Sequence, residues 1–427
     1  MPATGPATNH AAADRCPGVL RLAEAADGYL ARIRLPGGLI GAEQIRVLAR
    51  LAGELGDGRA ELTSRGNVQL RGLAADAAGP LAEGLARAGL LPSPGHDLVR
   101  NVLASPLAGL DGGPDLTAIV QTLDAALCAR PRLAELPGRF LFAVDDGRGD
   151  LAGLGADVLA QVRADGVAVN GLAVPVAARG DAAEDVVSVM LACAEAFLDV
   201  RAAEGGTAWR IADLADGAER VRAVVASRLR LAAAPQPSST SPAPVEPART
   251  DGPDAPAGPD APAGTDASAG PAGPARPAER SVGSAARPVG VVGPGGTAAV
   301  LLAPLGRLTA DQLTWLAGLV RSRPARITPW RSVVLPDLPD AAGLIRQAAD
   351  LGFGVDAASP WLRVTACAGR PRCASALADV QADAAAFADR WPDRIVHVSG
   401  CDRHCGRPLA TEVDVTATSE GYHVAGV

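Results

Sequence analysis

The chain has 427 residues, 48% of them hydrophobic and 3% aromatic, with a formal net charge of -7. This is enough apolar residue for more than one packed core, and the acidic balance argues against general nucleic-acid binding while allowing a locally basic pocket. All 40 basic residues are arginine, so every cationic task falls to a planar guanidinium suited to carboxylates and other oxyanions.

The N-terminal stretch MPATGPATNHAAADRCPG lacks a basic start followed by an apolar core, and no apolar run is long enough to span a bilayer; a cytoplasmic protein is expected. A strand-like YLARIRLP then precedes a helical pattern over residues 37–52, a strand-bearing ELTSRGNVQLRGL and a second helix over 80–88. Residues 89–232 carry helix patterns at 115–130, 184–202 and 217–231, with strand-like RFLFAVDDG and VAVNGLAVPVA between them. From 235 to 288 almost no large apolar residue occurs, so a disordered Pro/Ala/Gly linker is expected.

Beyond the linker the first pattern returns: AAVLLAP, a helix in LGRLTADQLTWLAGLV, then RITPWRSVVLPDL and a helix over 341–351. Glu43 pairs with Asp311 and Gln44 with Gln312 in this weak internal repeat. The chain thus divides at 17–88, 89–232, 235–288, 289–355 and 356–427, with a small α+β unit used twice.

Four of the seven cysteines form a C-x5-C-x27-C-x3-C pattern: Cys367, Cys373, Cys401 and Cys405. Two close thiolate pairs, separated by a helix expected over 374–390 and a returning strand IVHVSG, can converge on one metal centre. Soft sulfur selects an iron–sulfur cluster or zinc, and the C-x5-C spacing departs from the shorter loops of zinc knuckles. Cys16, Cys128 and Cys193 read as small buried apolar residues.

At these residues the sequence resembles the sirohaem-type sulfite/nitrite reductase superfamily. TSRGNVQ (Thr63 to Gln69), RNVLASPLAG and LPGRF resemble its tetrapyrrole-binding segments. The resemblance implies duplicated ferredoxin-like half-domains about a pseudo-twofold axis, α/β reductase-type domains and a 4Fe-4S cluster on the four cysteines. It also implies a ligand pocket using Arg65, Asn67, Gln69, Arg100, Asn101 and Arg139, with Arg331 and Arg363 as further candidates. ITPWRSVVLP and VTACAGRPRCASALADV resemble the precorrin-3B synthase family in particular.

That narrower resemblance implies hydroxylation of precorrin-3A with lactone formation. Dioxygen and an electron donor such as NAD(P)H or a reduced carrier would be needed, together with a mononuclear non-haem iron beside the cluster. His96, His397, His404 and His423 are undistinguished candidates for that iron. Sulfite reductases resemble L-P-x-K-F-K where this chain has Arg139 and Leu141, a departure that weakens a rival assignment as a sirohaem-dependent nitrite or sulfite reductase. A non-catalytic iron–sulfur or tetrapyrrole-binding protein is the second rival.

Overall fold

The computed structural model describes residues 16–175, 182–232, 288–408 and 410–426; apart from Pro288, the expected linker lies outside the described residues. The first half contributes β1 (Ala23–Ala25), β2 (Gly28–Ile33), β3 (Leu39–Ile40), α1 (Ala42–Leu55), β4 (Arg59–Leu62), β5 (Val68–Leu73) and α2 (Ala78–Arg87). Then come β6 (Val102–Ala104), α3 (Thr117–Cys128), β7 (Phe142–Asp145), β8 (Val158–Arg163), β9 (Gly166–Val169), β10 (Leu172–Val174), α4 (Ala182–Ala203) and α5 (Gly217–Leu229). The second half repeats the first as β11 (Gly290–Val292), β12 (Ala298–Leu302), β13 (Arg307–Thr309), α6 (Ala310–Leu319), β14 (Ala325–Ile327), β15 (Ser332–Leu335) and α7 (Ala341–Asp350). The chain closes with β16 (Val364–Ala366), α8 (Val380–Arg390), β17 (Val396–Ser399), β18 (Val413–Thr418) and β19 (Gly421–Ala425).

These strands form four sheets in two matching pairs. The first sheet runs β1-β2-β5-β4-β13 and its counterpart β11-β12-β15-β14-β3, so each half lends one edge strand to the other. The third, β10-β9-β8-β7-β6, and fourth, β16-β17-β18-β19, each open with two parallel pairings and finish antiparallel. The fold is α+β with duplicated domains.

The duplication extends to single hydrogen bonds. Gln44 accepts from Gly41 N (2.9 Å) and donates to Ala88 O (3.1 Å); Gln312 accepts from Thr309 N (2.9 Å) and donates to Leu351 O (2.8 Å). Each glutamine closes the start of its helix and ties it to the end of the next, as an N3 side chain in a capping box does. The hydroxyl of Thr63 accepts from Asn67 N, and that of Thr328 from Ser332 N, both at 3.2 Å. Left-handed corners recur too: Gly37, Gly38 and Gly66 have φ of 63°, 68° and 63°, and their counterparts Leu305, Gly306 and Arg331 have 54°, 75° and 61°.

At the seam the two halves meet with little room. A Cβ on Gly38 would lie 2.0 Å from Ile327 O, and one on Gly306 would lie 3.1 Å from Leu62 O. Helices α1 and α6 share one apolar core, in which Leu48, Leu51, Leu313 and Leu316 are buried. Each such leucine contributes roughly 2 kcal/mol of apolar transfer free energy. Among the described residues no helix is long and apolar enough to cross a membrane.

One expected element is shorter than its pattern. The helix expected over 374–390 starts at Val380, where Asp379 accepts from Ala382 N (3.2 Å). Residues 374–379 instead turn toward the second cysteine pair, with Leu377 N bonded to Gly400 O (2.7 Å).

Candidate functional site

The four cysteines sit on two loops at the ends of β16 and β17. Cys367 N donates to Val398 O (3.0 Å), and Gly400 N donates to the Cys367 sulfur (3.1 Å). A Cβ on Gly400 would come 2.6 Å from Ala376 Cβ, so this glycine lets the loops close on each other. Cys367, Cys373 and Cys401 are half-buried and Cys405 is exposed. Four thiolates on two converging loops, one already receiving an N–H···S bond, are a donor set that suits an iron–sulfur cluster.

The first sheet presents a charged face to this loop. Arg32, Gln69, Glu61 and Arg307 are directly registered neighbours across β2, β5, β4 and β13. Arg32 Nη2 donates to Gln69 Oε1 (3.1 Å), and Gln69 Nε2 donates to Glu61 Oε2 (3.0 Å). The arginine face joins the cysteine loop directly: Arg71, paired with Asp27 through both carboxylate oxygens, also donates to Arg372 O (3.2 Å). Arg372 lies 3.7 Å from Glu61 and hydrogen-bonds Gln381, which donates to Cys367 O (3.1 Å).

Among the described residues, several donors on this face lack a hydrogen-bond partner. Arg34 is 2% exposed; its Nη2 reaches Pro17 O and Leu98 O, but Nε and Nη1 have none. Burial, with the neighbouring Arg32 charge second, lowers its pKa to about 9. Arg307 has unpartnered Nε and Nη2 and stands 3.9 Å from Glu61 and 4.0 Å from Asp57; burial and then Arg372 lower its pKa to about 10. Buried guanidinium donors without a hydrogen bond are costly, and an anionic ligand would relieve that cost. The motifs did not single out Arg32, Arg34, Arg71, Arg307 or Arg372. The alternation of apolar and basic residues in YLARIRLP is the signal that could have found the first two.

The expected pocket residues divide into three groups. Arg65 Nη1 donates to Gly138 O (3.4 Å), beside Arg139, which is exposed over the Trp209 ring at 5.2 Å. Burial, then the Arg210 charge, lowers the Arg65 pKa. Asn67 and Asn101 are buried and largely structural: Asn67 Oδ1 accepts from Leu35 N (2.9 Å), and Asn101 Nδ2 donates to Leu98 O and Gly138 O (both 3.0 Å). Gln69 belongs to the charged row, while Arg331 and Arg363 lie in the second half of the molecule.

Arg100 departs from the expectation of a ligand-facing cation. It is 3% exposed, gripping both Asp124 oxygens (2.6 and 2.7 Å) and Leu90 O (3.1 Å). Its bidentate pairing within the fold leaves little of the guanidinium for a ligand. Arg100→Gln should therefore lower stability by about 2–4 kcal/mol in urea unfolding, because Asp124 loses its partner, while tetrapyrrole affinity stays within about twofold.

The histidines also separate. His96 is held by Ser93 and by Arg130 O, and His423 is exposed. His404, between two cysteines, lies 3.1 Å from Asp414, which also pairs with Arg407. His397 is fully buried; Nδ1 meets Thr365 Oγ1 (2.8 Å), Nε2 has no hydrogen-bond partner among the described residues, and burial lowers its pKa to about 4. The unfolded chain takes up that proton near pH 6.5, so this histidine's share of stability is full above that value and falls as pH drops toward 4. Comparing urea midpoints at pH 7 and pH 5, the wild type should lose roughly 2 kcal/mol more than His397→Gln.

The paired sheets show which charges the fold does not require. Across the second sheet the row corresponding to Arg32–Gln69–Glu61–Arg307 is Val300–Val334–Arg326–Leu39. Leu107 and Leu110 cover its apolar part, and Arg326 donates to Pro106 O and Ala108 O. In the third sheet Leu103–Ala143–Leu159 stands where the fourth has Thr365–His397–Asp414. Ser105 N bonds Val144 O as Cys367 N bonds Val398 O, so Ser105 takes the place of the first cysteine. Asp145, Asp146 and Asp150 gather there, but Asp145 accepts from backbone N–H groups of its own loop, Asp146 pairs with Arg148, and Asp150 accepts from Ser105 Oγ (2.7 Å). One arm of the duplicated scaffold is charged and the other packed, and the charged arm adjoins the cysteines.

Comparison with known proteins agrees with this architecture. Residues 22–88 match the nitrite/sulfite reductase ferredoxin-like half domain. A ferredoxin–nitrite reductase of Synechococcus elongatus is 27% identical over 93% of this chain and 78% of its own length. A precorrin-3B synthase of a Sinorhizobium species is 26% identical over 99% of this chain and 85% of its own. The structure of the Mycobacterium tuberculosis NirA protein superposes with a TM-score of 0.65 at 20% identity, covering 93% of this chain and 73% of that one, a likeness of fold. The resemblance first read from the cysteine, arginine and TPWR motifs, to precorrin-3B synthase within the sulfite/nitrite reductase superfamily, is borne out.

Proposed function

We propose that the chain is an iron–sulfur oxidoreductase that hydroxylates precorrin-3A to precorrin-3B, with lactone formation. The supporting observation is the arginine row, with donors lacking a hydrogen bond among the described residues at both ends, lying against the cysteine loop. Arg32 and Arg307 are three strand spacings apart, roughly 14 Å. A flat macrocycle with carboxylate arms on opposite edges has that span, and guanidinium pairs would fix its orientation. Arg65 and Arg139 extend the same binding surface from the side of the third sheet.

Cys367, Cys373, Cys401 and Cys405 are the ligands we assign to a 4Fe-4S cluster, which when bound supplies electrons singly from a reduced carrier or nicotinamide donor. Overall, one oxygen atom of dioxygen enters the macrocycle and the other leaves as water, consuming two electrons and two protons. Arginine binds and orients here without moving protons, because it does not release one near neutral pH. For a mononuclear iron, no two histidines and a carboxylate gather within 4.8 Å among the described residues, so no step is derived through it. The residue divisions expected from the sequence are retained as the proposed domains.

Reduction of a small oxyanion is less well served. Leu141, where sulfite reductases resemble lysine, is 2% exposed and packed with Leu103, Ala143 and Leu151, so it can neither bind an anion nor donate a proton. The deciding experiment incubates cluster-loaded protein with precorrin-3A, a reductant and isotopically labelled dioxygen. Incorporation of one labelled oxygen per macrocycle supports the proposal. Unchanged precorrin-3A alongside brisk nitrite or sulfite reduction overturns it.

A further inference from the structure

The loop that carries the first cysteine pair has a counterpart after the first strand of the third sheet, and the two loops meet their neighbouring sheets differently. Ser105 stands in the place of Cys367; five residues on, the chain has Leu110 in one loop and Arg372 in the other. Leu110 is buried against Val300 and Val334 of the second sheet. Arg372 is 8% exposed and turns its guanidinium toward the charged row of the first sheet, where Nη1 lies 3.7 Å from Glu61 Oε1. An apolar side chain is enough to seat such a loop, so the fold itself does not ask for a buried cation beside Cys373.

The same Glu61 oxygen faces a second guanidinium, that of Arg307 at 3.9 Å, while Glu61 Oε2 accepts from Gln69 (3.0 Å). One carboxylate thus stands between an arginine of the pocket face and a cation set in the cysteine loop. Arg372 is tied to the cysteines as well. It bonds Gln381, whose Nε2 donates to Cys367 O (3.1 Å), and its own carbonyl accepts from Arg71 (3.2 Å). The side chains of Arg307, Glu61 and Arg372 are all at most 20% exposed, so water and salt screen their charges weakly.

Resting on the cluster and tetrapyrrole readings above, we infer that Glu61 and Arg372 couple occupancy of the pocket to the reduction potential of the cluster. With the pocket empty, Glu61 is divided between Arg307 and Arg372, and the remaining Arg372 charge favours the one-electron-reduced, more negative cluster. When a ligand carboxylate takes Arg307, Glu61 turns to Arg372 and the potential falls. An electron received earlier from the reduced carrier then passes to dioxygen more readily once substrate is in place. By linkage, the protein binds the anionic ligand more tightly with its cluster oxidised than reduced.

The test uses full-length, cluster-loaded protein without oxygen and uroporphyrinogen III, a colourless octacarboxylate tetrapyrrole. The one-electron midpoint is followed by electron paramagnetic resonance of the reduced cluster. Saturating ligand should lower the wild-type midpoint by about 59 mV, which is a tenfold difference in affinity between the two oxidation states. Arg372→Leu should lower the midpoint of ligand-free protein and remove most of that shift. Glu61→Gln, outside the cysteine loop, should raise the ligand-free midpoint and also remove most of the shift; it decides the matter alone if Arg372→Leu loses its cluster. A full shift in Glu61→Gln overturns the inference. If wild-type protein assembles no cluster or binds no tetrapyrrole, the corresponding reading above falls and the inference with it; binding with an unmoved midpoint removes only the coupling.

Discussion

Replacing Cys401 with serine should reduce iron and acid-labile sulfide from about four of each per chain to less than about one. The protein should remain folded, because the fourth sheet is held by its own ladder and by a core of Val364, Val380, Val396, Val398 and Val415. Cys193→Ala is the matched control. That thiol is fully buried in α4, and burial pushes its pKa up to about 12, so it is neither a ligand nor a reactive group. Iron and sulfide should drop in the first variant and stay unchanged in the second. Full cluster content in Cys401→Ser would mean that the four-cysteine assignment is wrong.

A second large effect is expected far from the cysteines. Gly38→Ala should destabilise the protein by at least about 3 kcal/mol, because the new Cβ meets Ile327 O at 2.0 Å in a left-handed corner. Relief requires moving β14 away from β3, the strand exchange that joins the halves. Gly53→Ala, in α1 with nothing within 4 Å of the new carbon, should be neutral or stabilising by about 0.5 kcal/mol. Guanidinium unfolding of both variants measures the contrast. A small loss at Gly38 would show that the seam can relax.

Much of the scaffold could be read from the residues. Gln44 and Gln312 paired in the repeat because both perform the same capping bond, and the cysteine spacing marked two loops that do converge. The strand exchange was not legible: β3 has two residues and β13 three, too short for any periodicity. The late start of α8 was hidden because 374–379 is rich in alanine and leucine, residues compatible with helix. Only the tertiary bond from Leu377 to Gly400 turns it into a loop. The pairing of Arg100 is not legible in the sequence, because its partner, Asp124, lies 24 residues on, in α3. Conversely, Arg307 carries no motif, and only burial of donors without a hydrogen bond among the described residues reveals it.

The most direct test of the account is the visible spectrum of protein purified without oxygen, recorded before and after dithionite with parallel iron and sulfide assays. The account predicts a broad thiolate-to-iron band that bleaches on reduction, without sharp tetrapyrrole bands, and a pocket that then accepts added precorrin-3A. Sharp bands from a resident tetrapyrrole, shifting on addition of nitrite or sulfite, would contradict it and make the pocket a haem site.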